Sequence, residues 1–482
     1  MKPSAITLFL VSVFILLITC AIFFPEEGID LGENLRLQFL TRDDLLMKNK
    51  VEYADINKIL GQQELLNDSI ITALAEGIEI RKVNADSLKN SITRIEYPNH
   101  DSTLLYPFFR SLRNLPSSRQ LVRIMHYGDS QIEDDRITSL LRNRLQAKFG
   151  GSGAGLVPAS QLYPYGFSMR QENSENWFRY IGFAKRDTNI RHQRYGALAS
   201  FCSFTPYASA TSVNDTAEAW VQFKISPYAY NNTKIFNQCR IFYSQNKTPF
   251  LNEVYVDDAL TDADIFPASS QLRVIRWTFD SPGKAITLKF RGQSSPEIYG
   301  IALDGHQGVA VDNIPLRGCS GLFFTLFDEQ LMAEMYKELN VKLFILQFGG
   351  NFVPSGLDNF TGYENWFYSQ MIRIKKLCPG AKILVIGVAD MSVKDRNNYI
   401  TNPNVEKVRN ALRAASFRAG AAFWDMYKAM GGKNSMPAWV FAEPPLASDD
   451  FVHFNPRGAK TIAQMFYNSF MLEYHKFEKY AN

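Results

Sequence analysis

The chain has 482 residues, of which 46% are apolar and 13% aromatic, enough for two or three domains with sizeable cores. Lys and Arg number 52 against 48 Asp and Glu, which gives a formal net charge of +4, and no long basic run occurs. This composition excludes a disordered chain, and we expect no nucleic-acid partner.

Five cysteines occur, without a CxxC pair or the spacing of a zinc site. Cys202 and Cys239 lie in one β-rich region, where they form either a disulfide or two free buried thiols. No histidines and carboxylates are spaced like metal ligands, so we expect neither a metal nor a cofactor.

The first apolar segment, Ile6–Phe24, carries no charge and is just long enough, at about 1.5 Å per residue, to cross a bilayer as a helix. It continues into Pro25 without the small residues of a cleavage site, which favours an uncleaved anchor over 6–24. Lys2 precedes the segment and Glu26 and Glu27 follow it. We therefore expect residues 1–5 in the cytoplasm and the bulk of a single-pass protein on the periplasmic side.

Residues 25–118 carry mixed helical patterning without a catalytic constellation. We interpret them as a stalk or helical linker that ends in a helix, Leu104–Leu115, packed on the main domain. Pro116 is expected to end that helix.

The apolar run from Leu121 breaks at Gly128-Asp129-Ser130, and an amphipathic helix follows over Ile137–Phe149. This pattern predicts a βα unit that delivers the Ser130 hydroxyl to the rim of a sheet. A serine nucleophile needs a base, a carboxylate that orients the base, and donors for the oxyanion. The glycine-rich residues 150–155 lack the Gly-Lys-Ser/Thr ending of a phosphate cradle, and we interpret them as a flexible turn.

Residues 161–307 change in texture to short runs of β-branched and aromatic residues between turn clusters, which predicts a β-sandwich. Trp177, Trp220 and Trp277 are either part of its core or a sugar-stacking face. Buried parallel strands and helices are again predicted after residue 308, for example Val341–Phe348. The economical interpretation is one doubly wound α/β domain, 119–160 and 308–482, interrupted by a β insert.

His453 is the best candidate for the base among six histidines, because Asp450 lies three residues upstream and can orient the imidazole from the same turn of chain. The alternative is that Asp450 caps the following helix and His453 lies at the surface. His126 is too far along the serine strand to reach the hydroxyl, and His306 is the remaining rival.

The loops at the carboxyl ends of neighbouring strands are the expected source of oxyanion donors. Asn351 follows the strand Val341–Phe348 within Gly349-Gly350-Asn351. Its amide can face the oxyanion or serve an Asx turn. Gly318 can offer a backbone N–H.

Taken in order, these motifs resemble the SGNH, or GDSL, hydrolase family over about 119–160 and 308–475. The resemblance implies a flavodoxin-like doubly wound sheet, with Ser130 as nucleophile, His453 as base and Asp450 as its orienter. It also implies an oxyanion hole made by the N–H groups of Ser130 and Gly318 and the side chain of Asn351. Phe352 departs from the family, which often has Asp there, and we expect this to weaken loop support rather than chemistry.

The β insert resembles a narrower group, the bacterial peptidoglycan and polysaccharide O-acetylesterases that carry a carbohydrate-binding-like sandwich. The resemblance implies a membrane-anchored, extracytoplasmic serine esterase acting on an acetylated cell-envelope glycan. Similar domains act as O-acetyltransferases with a membrane-bound O-acyltransferase partner, which is the first alternative. The second is a non-catalytic glycan-binding protein.

Overall fold

The computed structural model describes residues 3–25, 28–31, 36–37, 39, 51–66, 68–76, 91–163, 166–207, 216–280, 283–396 and 398–480. The flanking charges Lys2, Glu26 and Glu27, and parts of the expected stalk, lie outside these residues. The chain divides into two compact units, Met1–Tyr53 and Ala54–Asn482.

The first unit contains the predicted apolar segment as one helix, Pro3–Phe23, whose length and composition would allow it to cross a membrane. A short antiparallel pair follows, formed by β1 (Ile29–Asp30) and β2 (Arg36–Leu37).

The second unit contains the remaining strands and helices. The strands are β3 (Ile95–Glu96), β4 (Leu121–Gly128), β5 (Gly155–Val157), β6 (Met169–Asn173), β7 (Phe178–Ile181), β8 (Ser200–Ser203), β9 (Ala217–Ile225), β10 (Gln238–Ser244), β11 (Phe250–Val256), β12 (Ala259–Phe266), β13 (Arg273–Thr278), β14 (Ala285–Gly292), β15 (Glu297–Asp304), β16 (Gly308–Pro315), β17 (Val341–Gln347), β18 (Lys382–Ile386), β19 (Ser392–Asp395), β20 (Asn398–Thr401) and β21 (Ala422–Trp424). The α-helices are Ile56–Glu64, Asp68–Glu76, Tyr106–Arg113, Leu115–Ser118, Thr138–Phe149, Glu329–Glu338, Thr361–Leu377, Val405–Arg418, Met426–Ala429, Ser435–Val440 and Pro456–Tyr480.

The central sheet has the strand order β16-β4-β17-β18-β21-β3, and only the edge strand β3 runs antiparallel to its neighbour. Numbered along the chain, the parallel strands are arranged 2-1-3-4-5, which is the flavodoxin-like order. The predicted doubly wound α/β sheet is therefore confirmed.

Helices cover both faces of this sheet. Successive side chains of β4 point to opposite faces, and each face packs against helices. Met125 and Tyr127 pack into the core cluster that includes Met335, Phe367 and Leu412 from three different helices. His126, between them, points to the other side, where its Nδ1 lies 2.9 Å from the Thr138 hydroxyl at the start of the helix Thr138–Phe149.

The insert is a sandwich of two antiparallel sheets, as predicted from its short alternating strands. One sheet has the order β13-β10-β15-β8-β7, and the other β12-β11-β14-β9-β6. β15 ends at Asp304 and the central-sheet strand β16 begins at Gly308, so the chain passes directly from sandwich to parallel sheet. β5, which precedes residue 161, pairs with β15 and belongs to the sandwich as well.

The three tryptophans of the insert do not form one sugar-stacking face. Trp177 and Trp277 are each 8% exposed and belong to the sandwich core, whereas Trp220 is 37% exposed on the outer face of β9. The core role therefore applies to two of them.

The expectation of a flexible turn at 150–155 is wrong, because the glycines there pack against backbone. A Cβ atom on Gly151 would lie 2.4 Å from the Val309 carbonyl oxygen, and one on Gly153 would lie 2.1 Å from the Leu303 carbonyl oxygen. Both glycines also have positive φ angles, 110° and 92°, which glycine adopts without strain. The run is a tight connection between the hydrolase half and the insert.

The described residues of the expected stalk from Ala54 onward belong to the second unit. The helix Asp68–Glu76 lies against the C-terminal helix Pro456–Tyr480, and β3 extends the central sheet. Pro116 does not end the preceding helix, which stops at Arg113, but occupies the first turn of Leu115–Ser118, where a missing N–H costs nothing. Cys202 and Cys239 are free, buried thiols.

A buried ion cluster joins the insert to the central sheet. The Arg123 guanidinium of β4 binds Asp304 of the insert and Asp312 of β16, and all three side chains are fully buried. Arg240 also binds Asp304, at 3.0 Å, and Asp312 accepts the N–H of Leu156 at 2.8 Å.

Candidate active site

Ser130 stands at the carboxyl end of β4, where a 3-10 turn over Ser130–Asp135 begins. β4 can pass closely beside β17 here because residue 128 is glycine: a Cβ at that position would lie 3.0 Å from the Gln347 carbonyl oxygen. The site lies between strands 1 and 3 of the 2-1-3-4-5 order, the switch point at which ligands bind in such sheets.

The structure brings Ser130, His453 and Asp450 together. The Ser130 Oγ lies 2.8 Å from His453 Nε2, and His453 Nδ1 lies 2.6 Å from Asp450 Oδ2. This is the arrangement in which a carboxylate fixes the imidazole tautomer and the imidazole can accept the serine proton.

The base and its orienter share one short loop that the backbone holds in place. Asp450 Oδ1 accepts the N–H groups of Val452 and His453, each at 2.9 Å. The N–H of Ser448 donates to the His453 carbonyl oxygen at 2.8 Å, and Phe451 turns the chain with a φ of 57°. Partial burial raises the pKa of Asp450, but the hydrogen bonds from this loop outweigh it and lower that pKa on balance.

Gln131 ties the nucleophile to the histidine loop, a role that the sequence pattern did not reveal. Its side-chain Nε2 donates to the Val452 carbonyl oxygen at 2.6 Å, and its Oε1 accepts the Phe454 N–H at 3.4 Å. The side chain is buried. Its partners are more than 320 residues away in the chain, so no local motif could have indicated the contact.

Asp129 is a second supporting residue without a predicted role. Its carboxylate accepts the Gln131 N–H at 3.0 Å and caps the serine turn. Burial raises the pKa of Asp129 to about 6, against the lowering effect of the N–H groups of Gln131 and Gly350. The carboxylate thus joins the serine turn to the loop that carries Asn351.

Asn351 and Gly318, the other proposed oxyanion donors, lie on adjoining loops. Asn351 lines the pocket that contains Ser130 and His453, and its Nδ2 donates to the Cys319 carbonyl oxygen at 3.3 Å. Gly318, next to Cys319, is exposed and has a φ of 75°. Phe352, which departs from the family pattern, stacks on Tyr363 with centroids 4.0 Å apart, so the ring supplies packing for this loop.

The two rival histidines lie outside the site. His126 is fully buried, and burial lowers its pKa to about 4; its Nε2 contacts Gln347 Oε1 at 3.1 Å. His306 precedes Gly308, which pairs with Leu121 at the opposite end of β4 from Gly128. The eight residues of β4 span roughly 25 Å at about 3.3 Å per residue, so His306 lies about that far from the end of the strand that carries Ser130.

A pocket of about 150 Å³ adjoins the Ser130 hydroxyl. Its polar lining residues are Asp129, Ser130, Gln131, Gln347, Asn351 and His453. The rest is largely apolar and comes from residues after β17, β18 and β21: Pro354, Val388, Ala389, Met391 and Met426. Among the described residues, no group of three or more His, Cys, Asp or Glu could hold a metal ion.

Comparison with known proteins shows that part of the chain is similar to one protein family. Residues 283–461 match the GDSL-like Lipase/Acylhydrolase family. The match includes Gly318, Asn351, Asp450 and His453 and begins after Ser130. No curated protein matches the chain.

Several solved structures are similar. A peptidoglycan O-acetylesterase has 19% identity and a TM-score of 0.58, over 76% of this chain and 95% of that one. A family two carbohydrate esterase from Cellvibrio japonicus has 9% identity and a TM-score of 0.22, over 63% of this chain and 99% of that one. The acetyl xylan esterase AlAXEase has 16% identity and a TM-score of 0.26, over 33% and 81%.

The first of these structures has the same fold as this chain, and the similarity covers most of the length of both proteins. The matched family and the serine–histidine–aspartate geometry agree on the chemistry. The chain therefore contains a serine hydrolase domain that is similar to the GDSL-like lipase/acylhydrolase family over residues 283–461.

Proposed function

We propose that the protein is a membrane-anchored, extracytoplasmic esterase that removes O-acetyl groups from a cell-envelope polysaccharide or peptidoglycan. The observation that carries this proposal is the chain of contacts from Ser130 Oγ to His453 Nε2 at 2.8 Å and from His453 Nδ1 to Asp450 at 2.6 Å. The likeness in fold to a peptidoglycan O-acetylesterase supports the choice of substrate class.

The first half-reaction forms an acetyl-serine. Ser130 Oγ attacks the ester carbonyl carbon while His453 Nε2 takes the hydroxyl proton. The carbonyl oxygen becomes an oxyanion, for which the Ser130 N–H, the Gly318 N–H and the Asn351 Nδ2 are the proposed donors. When the C–O bond to the sugar breaks, His453 returns the proton to the departing sugar oxygen.

The second half-reaction releases acetate. Water attacks the acetyl-serine carbonyl while His453 removes one of its protons, and the tetrahedral intermediate then expels Ser130 Oγ, which regains a proton from His453. Asp450 stabilises the imidazolium in both steps, and its lowered pKa keeps it ionised at neutral pH.

The exposure of the triad favours water over a sugar as the final acceptor. The side chains of His453 and Asp450 are 30% and 46% exposed, so solvent reaches the base directly. A transferase has to exclude water from its acyl-enzyme, because any water that reaches the base competes with the acceptor hydroxyl. We therefore rank hydrolysis above transfer to a glycan with a membrane-bound O-acyltransferase partner.

The size of the pocket supports an acetyl group as the acyl part. Its volume of about 150 Å³ is small beside the roughly 300–1,000 Å³ of sites for drug-sized ligands. Its apolar residues, among them Val388 and Met426, suit a methyl group next to a polar carbonyl.

The apolar helix Pro3–Phe23 supports the anchor. Together with a glycan substrate, it supports a catalytic unit in the periplasm or elsewhere outside the cytoplasm. Protease added to intact spheroplasts should degrade the catalytic unit if it lies outside the cytoplasm, and protection until lysis would contradict that location.

The activity is tested with the full-length chain in detergent. We expect it to release 4-nitrophenol from 4-nitrophenyl acetate and acetate from O-acetylated peptidoglycan, and we expect Ser130→Ala to abolish both. A fluorophosphonate probe should label Ser130, as mapped by mass spectrometry. Equal rates for the parent and Ser130→Ala would refute the esterase. A cellular role retained by Ser130→Ala with unchanged glycan binding would favour the non-catalytic alternative.

A further inference from the structure

A second cavity, of about 210 Å³, lies where the insert meets the hydrolase domain. The hydrolase side contributes Asp134 from the serine turn and Asn313 and Arg317 from the end of β16 and beyond. The insert contributes three aromatic residues: Tyr163, Phe167 and Phe183.

The cavity lies beside the catalytic centre along the chain. Asp134 is four residues from Ser130, and four residues span at most about 14 Å. Arg317 directly precedes Gly318, one of the proposed oxyanion donors. A molecule in this cavity is therefore close enough to be the same polymer whose ester lies at Ser130.

One rim of the cavity is aromatic, exposed and held in place. Tyr163 is 38% exposed and Leu162 is 42% exposed. The Arg317 guanidinium carbon lies 4.0 Å from the centroid of the Tyr163 ring, and the same guanidinium pairs with both oxygens of buried Glu133. The ring is thus fixed by a group that is itself fixed to the serine turn.

The polar lining of the cavity includes the side-chain amides of Gln161, Gln171 and Asn313. Such planar amide groups form hydrogen bonds with hydroxyl groups. Of the three guanidinium groups in the lining, Arg142 and Arg317 pair with carboxylates, and Arg179 donates to the Ser200 hydroxyl and the Ser160 carbonyl oxygen. Asp135 binds Arg142 and accepts the Ser168 hydroxyl. This lining therefore suits a ring with an apolar C–H face and several hydroxyls better than a carboxylate.

The backbone between Ser130 and the cavity has two strained residues, and one of them contacts the insert wall of the cavity. Asp134 and Asp135 have consecutive positive φ angles, 51° and 58°, which are costly for residues other than glycine and cluster at functional sites. The strain lets Asp134 Oδ1 accept the N–H groups of Gly166 and Phe167, at 3.0 and 3.2 Å. The insert wall of the cavity is thereby attached to the turn of the nucleophile.

From these contacts we infer that the cavity is a glycan subsite that binds a neutral pyranose unit of the chain whose acetyl ester is cleaved at Ser130. The inference rests on the proposed function and deepens it, because it assigns a second unit of the same glycan chain to a named cavity. Binding energy from the distant unit then selects polymer over small acetyl esters.

The test compares chain lengths. The probes are N-acetylglucosamine oligomers of one, two and four units, chemically O-acetylated, with 4-nitrophenyl acetate as the small ester. For the parent, we expect kcat/KM per acetyl group to rise at least tenfold from one unit to four. Tyr163→Ala and Leu162→Ala should reduce this ratio to about threefold or less. Tyr480→Ala, which removes a 66% exposed tyrosine of the C-terminal helix, should keep it.

Four outcomes would overturn the subsite. The subsite is refuted if parent activity is independent of chain length. It is also refuted if both Tyr163→Ala and Leu162→Ala keep the full chain-length ratio. In either case, continued hydrolysis of 4-nitrophenyl acetate would still support the esterase. A selective loss of 4-nitrophenyl octanoate hydrolysis in Tyr163→Ala would make the cavity an acyl-chain site instead. If the parent cleaves none of these esters, the proposed function fails, and the subsite fails with it.

Discussion

The Nε2 of Gln131 donates to the carbonyl oxygen of Val452 at 2.6 Å. This contact joins the residue after the nucleophile to the residue before the base, so it fixes the spacing on which proton transfer depends. Proton transfer requires heavy atoms about 2.6–3.2 Å apart.

Gln131→Ala should therefore lower kcat about 10- to 100-fold with little change in KM for 4-nitrophenyl acetate, because small misplacements of a catalytic group are costly. It should also reduce the free energy of unfolding by about 1–3 kcal/mol, since the partly buried Val452 carbonyl loses its donor. Steady-state kinetics and urea denaturation measure the two effects. An unchanged kcat would contradict the positioning role.

Tyr399 supports the same loop from its other side. Its ring stacks on Phe451 with centroids 3.6 Å apart and planes at 9°, and the Ser392 N–H donates to the Phe451 carbonyl oxygen at 3.1 Å. We expect Tyr399→Ala to lower kcat about tenfold and stability by about 0.5–1.5 kcal/mol, the usual worth of an aromatic pair.

The matched control is Tyr399→Phe, which keeps the ring. It should retain at least half of the parental kcat. Equal losses in the two variants would assign the effect to the hydroxyl rather than to the stacked ring.

Asp129 should make stability depend on pH. Its pKa is raised from 3.8 to about 6 in the folded protein, so the folded state binds a proton more tightly than the unfolded state between these values. Its contribution to the free energy of unfolding therefore falls as pH rises from about 4 through about 6. The difference of about two pKa units corresponds to roughly 3 kcal/mol.

Asp129→Asn removes this titration. Relative to the parent, the variant should gain up to roughly 3 kcal/mol between pH 4 and pH 8, whatever constant loss the amide brings. Urea denaturation of both proteins across this range provides the measurement, and parallel curves would show that the carboxyl does not titrate there.

Arg123 should be the most costly of the charged residues to replace. Arg123→Met leaves Asp312 buried without its guanidinium partner and leaves Asp304 with Arg240 alone. Breaking such a pair typically costs about 3–5 kcal/mol. Lys224→Met, which breaks an ion pair whose side chains are 40% and 54% exposed, should cost less than about 1 kcal/mol. A loss below that limit for Arg123→Met would contradict this account.

The features that depend on short local sequence patterns could be predicted. Ser130, Asn351 and the pair Asp450 and His453 each stand in a short motif at the end of a strand or before a helix. The sheet follows from buried apolar runs, and its flavodoxin-like order from the family resemblance. Gln131 was missed because its partners come from a loop far along the chain. Asp129 has a local partner in the Gln131 N–H, and its position before Ser130 could have indicated that it caps the serine turn.

The tryptophans show that a usable pattern can be overlooked. In β9, Ala219, Val221 and Phe223 are the buried residues, and strand alternation therefore puts Trp220 on the outside. Trp277 follows the exposed Arg276 and shares its side of β13 with buried Ile275. The packing of the glycines at 150–155 was beyond reach, because it depends on Leu303 and Val309, which only the fold brings near.

The ion cluster around Arg123 has a consequence for any attempt to build a smaller catalyst. Joining residue 160 directly to residue 308 would remove Asp304 and β15, the partners of Arg123 and β5. The truncated hydrolase would expose the cluster and the glycine turn that now pack beneath the insert. The insert therefore contributes to the stability of the hydrolase domain. A shortened variant without the sandwich would need substitutions in β4 that remove the buried charge of Arg123.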